Sequence, residues 1–396
     1  MRTVKRNPLL SGVCALLGGV FLLVGTAKAD VTSDEAAAIL VIPKVVYDPD
    51  GRFSPNLKPT DTEIQVTNVS DHTVKLRCFY VNATSHCSNA LDEACFDKSD
   101  CQQFGLGGLC VPRWIETDFE FTLSKLQPIV WLASEGLTSI PLSEGGVTSG
   151  SIPPVSEFPF LGELKCVEVG LDDRPVDTND LKGEATIVAA SASGIDARGY
   201  NAIGVQAIAG ANSGDNTLVL GGEEDPEYNG CPSVLILDHF FDDAVEPIDG
   251  DFVKTHLTCV PCSQNFETQQ VFETPLQFLV FNEFEQRFSA SRKLTCFHEF
   301  ELCSLDQGWD RPIGNFDPNF SSCQFSIFSA FVSGTLTGQT RIRGVDTGIP
   351  EHGNGVLCVA EEFFRSDPPL DTIHASDAFN LQHIGDRVRA DIIVMP

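Results

Sequence analysis

The chain has 396 residues, 42% of them apolar and 20% charged, which is enough to build ordinary globular cores and long for a single domain. With 55 acidic residues against 26 basic ones, the formal charge is −29. This composition excludes a disordered chain, a collagen and a multi-pass membrane protein, and so acidic a surface repels phosphate backbones, so no nucleic-acid partner is expected.

The first segment reads as an address. Arg2, Lys5 and Arg6 precede an apolar run, and Ala27-Lys28-Ala29 is a small-x-small cleavage signature. Residues 1–29 are therefore expected to be a signal peptide cleaved after Ala29, which sends the protein to the periplasm, the cell surface or the medium. Cleavage removes four basic residues, Arg2, Lys5, Arg6 and Lys28, and no acidic one, leaving a formal charge of −33. No later run is apolar for long enough to span a bilayer as a helix, so the mature chain is expected to carry no transmembrane span.

Beyond the address, Thr32 and Glu35 would cap a short helix over residues 36–40 that Pro43 ends. The turn Asp48-Pro49-Asp50-Gly51 brings the carboxylates of Asp48 and Asp50 close together, a chemistry that suits calcium and equally suits an ordinary turn. Ile64 and Val66 alternate with Gln65 and Thr67. Val74, Leu76, Cys78 and Tyr80 alternate with Thr73, Lys75 and Arg77, and Phe119, Phe121 and Leu123 alternate with polar residues. Period two with one polar side marks strands with one face on a core. Asp172, Asp173, Asp177 and Asp180 form a second acidic loop. Residues 223–232 follow a Gly-Gly pair and hold Pro226, which suits a linker. Val234-Leu235-Ile236-Leu237 reads as a buried strand, and Asp238, His239 and Asp242 at its end are residue types that ligate a metal or form an acid–base pair. Residues 276–281 and 325–332 are more continuously apolar, as central strands are.

Several features of the earlier part recur later in the same order. Ile42-Pro43, residues 64–68, Cys78-Phe79 and residues 162–167 are matched by Val260-Pro261, residues 278–282, Cys296-Phe297 and residues 355–359. Internal similarity of this kind predicts a duplicated module. The expected architecture is all-β: two tandem immunoglobulin-like β-sandwich domains over residues 30–222 and 233–396, with a cysteine-rich insertion at 87–110 in the first.

Of 14 cysteines, Cys14 leaves with the signal segment and 13 remain. An exported chain so rich in cysteine is expected to be disulfide-bonded, and the odd number leaves one free or bonded to another chain. Cys87 with Cys101 and Cys95 with Cys110 would staple the insertion. Equivalent long-range pairs, Cys78 with Cys166 and Cys296 with Cys358, would pin sheets together. Local bridges, Cys78 with Cys87 and Cys296 with Cys303, are the alternative, and Cys323 remains a further candidate. Cys259-Val260-Pro261-Cys262 lacks the thioredoxin-like context of a redox pair. The chain contains no Gly-x-Ser-x-Gly, no P-loop and no His-Glu-x-x-His.

Residues 64–87, with their Cys-Phe-Tyr-Val-Asn, residues 117–136, and the insert at 95–110 resemble exported β-rich proteins of environmental Gram-negative bacteria, an uncharacterised class. The resemblance implies export and β-rich domains and carries no activity or site residue. The expected function is that of a secreted or surface interaction or structural protein without catalysis. It would bind a protein or surface ligand, with no cofactor unless calcium. A secreted metal-dependent enzyme centred on Asp238, His239 and Asp242, or a subunit of an extracellular layer or filament linked by the odd cysteine, are the alternatives.

Overall fold

The structure, a computed structural model, describes residues 31–51, 58–95, 98–105, 107–111, 114–141, 150–191, 194–240, 242–245, 252–270, 273–302, 305, 337–348, 353–365 and 373–396. Residues 1–29, Cys303, Cys323 and the strand expected at 325–332 lie outside them. The described chain is all-β, as its alternating patterns require. Its first half contains β1 (Ile39–Tyr47), β2 (Thr60–Asn68), β3 (Val74–Asn82), β4 (His86–Cys87), β5 (Ala90–Ala94), α1 (Lys98–Gln102), β6 (Cys110–Val111), β7 (Ile115–Leu123), β8 (Pro128–Leu132), β9 (Phe160–Val169), β10 (Leu181–Ser191), β11 (Gly194–Asn201), β12 (Ile203–Val205) and β13 (Thr217–Leu220). Its second half contains β14 (Pro232–Phe240), β15 (Asp242–Val245), β16 (Phe252–Pro261), β17 (Gln264–Asn265), β18 (Thr274–Asn282), β19 (Arg287–Leu294), β20 (His298–Glu301), β21 (Gly338–Gly344), β22 (Val356–Arg365), β23 (Ile373–Asn380), β24 (Gln382–Asp386) and β25 (Asp391–Val394).

In the first half, a sheet ordered β12-β1-β9-β3-β7 faces a sheet ordered β11-β10-β2-β8. Leu40 and Ile42 of β1, Leu76, Cys78 and Tyr80 of β3, and Leu164 and Cys166 of β9 meet Ile64, Val66, Trp131, Ala185 and Ile187 between these sheets. The Trp131 indole donates to the Tyr80 hydroxyl at 2.7 Å, so the polar tip of each buried ring is satisfied. The intervening residues, Ile39, Val41, Phe79, Val81 and Val167, point the other way. They pack on Leu218 of β13, Ile393 of β25 and Phe266 beside β17, the three strands of a further small sheet. The β1-β9-β3 sheet is therefore buried on both faces, which is why β1 is apolar but for Lys44, whereas β9 buries three charged residues, Glu163, Lys165 and Glu168.

The second half pairs β19-β18-β21-β14-β24 in one sheet and β15-β16-β22-β23 in another, with β20 also on β16. Leu235, Leu237, Leu257, Leu276, Phe278, Ile342 and Ala360 fill its core. Connectivity differs between the halves. β2 and β3 enter different sheets, whereas β18 and β19 form a hairpin in one sheet. Residues 223–232 are anchored: Tyr228 and Cys231 are buried, and the Tyr228 hydroxyl donates to Val176 O at 3.2 Å.

The helix expected at 36–40 is absent. Ala37 bridges to Leu181 and the backbone enters β1 at Ile39. The β-branched run of β1, buried on both faces, overrides the local preference of the alanines. Pro43 does not end the element. It falls in a bulge, because Ile42 pairs with Leu164 and Val45 with Gly162, leaving one extra residue on β1. Gly162 is required where it stands, since a Cβ there would lie 1.8 Å from Val81 O on β3.

Five disulfides lie among the described residues: Cys78–Cys166, Cys87–Cys101, Cys95–Cys110, Cys231–Cys262 and Cys259–Cys358. The pairing of Cys358 differs from the sequence expectation. Its partner is Cys259, directly opposite it on the neighbouring strand, and Cys296 is a buried free thiol. Cys78 and Cys166 are likewise opposite each other on β3 and β9, so both long-range bridges lie within one sheet instead of joining two. Cys259 and Cys262 are an odd number of residues apart at a strand end, so they face different cores and bond to different partners.

Candidate functional site

The turn at residues 48–51 is tied to β2: Asp48 N donates to Thr60 O at 2.8 Å and Thr60 N to Asp48 O at 2.9 Å. Asp48 is buried there and Asp50 is exposed. Asp238 and His239 end β14 on the surface. His239 Nδ1 lies 2.9 Å from Asp238 Oδ1, its Nε2 lies 3.5 Å from Glu362 Oε1, and its ring stacks on Phe379. Asp242 opens β15, and its side chain is outside the described part of the molecule. Among the described residues, Asp48, Asp50, Asp238 and His239 belong to no group of three ligand atoms close enough to share an ion.

Two other arrangements gather buried charge. The first joins the two halves and begins with the bulge in β1. The Tyr200 hydroxyl accepts from Lys44 N at 3.0 Å and donates to Lys44 O, satisfying the backbone groups that the bulge takes out of the ladder. Lys44 Nζ then pairs with Glu299 Oε1 of β20 at 2.7 Å and with Glu361 Oε2 of β22. The other oxygen of Glu361 accepts from Arg198 Nε of β11 at 2.5 Å, and the Arg198 guanidinium covers the Phe363 ring. Burial alone would push Glu361 up, but the charges of Lys44 and Arg198 outweigh it and hold its carboxyl well below the ordinary value. His256 lies within 3.6 Å of Glu299 and 3.5 Å of Glu301. Burial opposes its charge, and those carboxylates override the opposition and raise its pKa. Around this cluster, Asn201 and Asn380 exchange hydrogen bonds at 3.0 and 2.8 Å, and Ser376 donates to Asp196 at 2.6 Å. A smaller cluster likewise gathers acceptors around a buried cation. Lys165 Nζ donates to Glu163 at 2.9 Å, to Pro261 O at 3.0 Å and to Gln264 Oε1.

The second arrangement gathers two carboxylates and an imidazole with no lysine or arginine ion pair among the described residues. His72 Nε2, Glu168 and Asp180 each place a ligand atom within 4.8 Å of the others, on the β2–β3 turn, the end of β9 and the start of β10. His72 Nε2 is 3.1 Å from Asp180 Oδ2. Glu168 is 3% exposed, and its Oε1 accepts from Thr178 Oγ1 at 2.6 Å. Its Oε2 is buried without a hydrogen-bond partner, and Asp180 Oδ2 is buried with the His72 imidazole as its neighbour. Burial, reinforced by the neighbouring Asp180 and only partly offset by Thr178, pushes the Glu168 carboxyl up to about 7.

The turn that carries His72 is rigid because Asn68 is buried and its carboxamide donates to His72 O at 2.7 Å and Ser124 O at 3.0 Å, while its Oδ1 accepts from Ser70 N at 2.8 Å. Val69 N donates to Asp180 O at 2.8 Å, tying the turn to the start of β10. Of the three residues, only Asp180 belongs to a sequence motif already singled out. Glu168 carried no signal that set it apart, since its strand also holds Glu163 and Lys165. His72, in a polar Ser-Asp-His-Thr turn, carried none.

No family model and no curated protein matches the chain. Among solved structures, a chain of the cryo-EM atomic structure of broad bean stain virus is similar at 8% identity over 95% of this chain and 99% of that one, with a TM-score of 0.14, and carries no argument about fold or role.

Proposed function

We propose that this is an exported, non-catalytic interaction or structural protein built from two disulfide-braced sandwich modules of immunoglobulin-like type, the first carrying the cysteine-rich insertion. The observation that carries the reading is the placement of five disulfides: two in the insertion, and three buried in the cores of both halves and the junction. Buried, oxidised sulfur on this scale belongs to an oxidising compartment. No helix among the described residues is long and apolar enough to cross a membrane. A rigid β scaffold binds through its loops and edge strands. Val130 on β8 and Ile384 on β24, both edge strands, are about half exposed and offer apolar footholds for such a partner.

The test is peptide mapping, without reduction, of protein recovered from the cell exterior or periplasm. The expected result is an N-terminus at Asp30 and bridged peptides for all five pairs. Retention of residues 1–29 in a cytosolic protein with reduced thiols would sink the reading.

A further inference from the structure

We infer that His72 Nε2, Glu168 Oε2 and Asp180 Oδ2 form a binding site for a divalent transition-metal ion of the zinc type. Zinc takes imidazole nitrogen and carboxylate oxygen at about 2.0–2.2 Å, which places neighbouring ligand atoms of a tetrahedral site roughly 3.4 Å apart. His72 Nε2 and Asp180 Oδ2, at 3.1 Å, already have that spacing, and the whole set falls within 4.8 Å. Closing it on an ion requires side-chain adjustment only.

Three features separate this cluster from an ordinary acidic patch. Glu168 is almost wholly buried, yet one of its oxygens has no hydrogen-bond partner, and beside it lies the Asp180 carboxylate, whose buried oxygen has the half-exposed imidazole of His72 at 3.1 Å. A buried carboxylate oxygen without a partner is costly, and a second carboxylate beside it raises that cost. Among the described residues, no Lys or Arg forms an ion pair with either carboxylate, in contrast to every other fully buried glutamate described above. The outer contacts are those of a held site: Thr178 orients Glu168, and Asn68 fixes the turn that carries His72.

The donor set selects the ion. Calcium takes six to eight oxygens and magnesium keeps most of its waters, and neither favours an imidazole. One nitrogen with two carboxylate oxygens suits zinc, with cobalt as a spectroscopic substitute. His72 is half exposed and supplies the entry path, and the acidic surface raises the local cation concentration.

The experiment is calorimetric titration of Zn2+ into the chelator-treated exported protein at neutral pH, with excess Mg2+ to occupy unspecific acidic sites. The expected result is one site per chain that survives Mg2+. His72→Ala, a surface change that leaves the core intact, is expected to weaken it by at least about tenfold. Asp180→Asn is expected to do the same, and His239→Ala to leave it unchanged. Co2+ bound to the same protein is expected to give a visible absorption band that His72→Ala abolishes. The inference is overturned if Mg2+ or Ca2+ displaces all bound Zn2+, or if His72→Ala leaves affinity and stoichiometry as they were.

Discussion

The buried carboxylates of Glu361 and Glu168 share a residue type, a β-strand setting and near-complete removal from water, yet their surroundings are opposite. Glu361 meets Lys44 from a bulged strand of the first half and Arg198 from an edge strand of the same half. Glu168 meets a hydroxyl, a second carboxylate and an imidazole. The first site draws its cations, Lys44 and Arg198, from the chain itself, and they join strands of the two halves. Among the described residues the second has no lysine or arginine ion pair, and its basic neighbour is the half-exposed His72. A buried acid is thus no evidence of function until its partners are counted.

The largest effect expected from breaking this contrast is at Glu361. Glu361→Gln leaves Lys44 and Arg198 buried with less counter-charge and is expected to cost about 3–5 kcal/mol in denaturant unfolding. Next is the pH response. Glu361 titrates below its ordinary value of 4.5 when folded, so its stabilisation is fully present above that value and is lost as pH falls through the lower, folded pKa. Acid titration of stability is expected to steepen below about pH 4.5, and Glu361→Gln to flatten it.

A smaller effect of opposite sign is expected at Glu168. Its carboxyl holds a proton to higher pH when folded, so in metal-free protein stability declines as pH rises from the ordinary 4.5 through about 7. Glu168→Gln, measured in chelator by urea midpoints at about pH 5 and about pH 8, is expected to cost little at the lower pH and to stabilise at the higher one by about 1 kcal/mol. The smallest effect is that of His72→Ala, within about 0.5 kcal/mol in chelator because the ring is half exposed; a large loss there would mean that the turn is structural.

The strands β2 and β7, and the first residues of β3, Val74 to Arg77, were legible because one face meets a core and the other meets water or polar neighbours. The bridges Cys87–Cys101 and Cys95–Cys110 were legible because a short polar segment has nothing else to close it. The partner of Cys358 was not. Pairing by analogy with Cys78 assumed that the halves share one connectivity, whereas Cys358 lies opposite Cys259 across a strand pair whose register no local pattern reveals. Asn68-Val69-Ser70 and Asn82-Ala83-Thr84 match the N-glycosylation pattern and show the same limit. Both side chains are buried and hydrogen-bonded in the fold, which a three-residue motif does not disclose.

Composition, alternation and cysteine spacing by themselves determined the β character, the stapled insertion and the expectation of an oxidising compartment, because each depends on residues near one another in the chain. Which cysteines, carboxylates and cations meet was decided only by the tertiary structure. Lys44 and Glu361 are 317 residues apart, and Glu168 and His72 come from a strand and a distant turn, so their encounters depend on how the sheets pack.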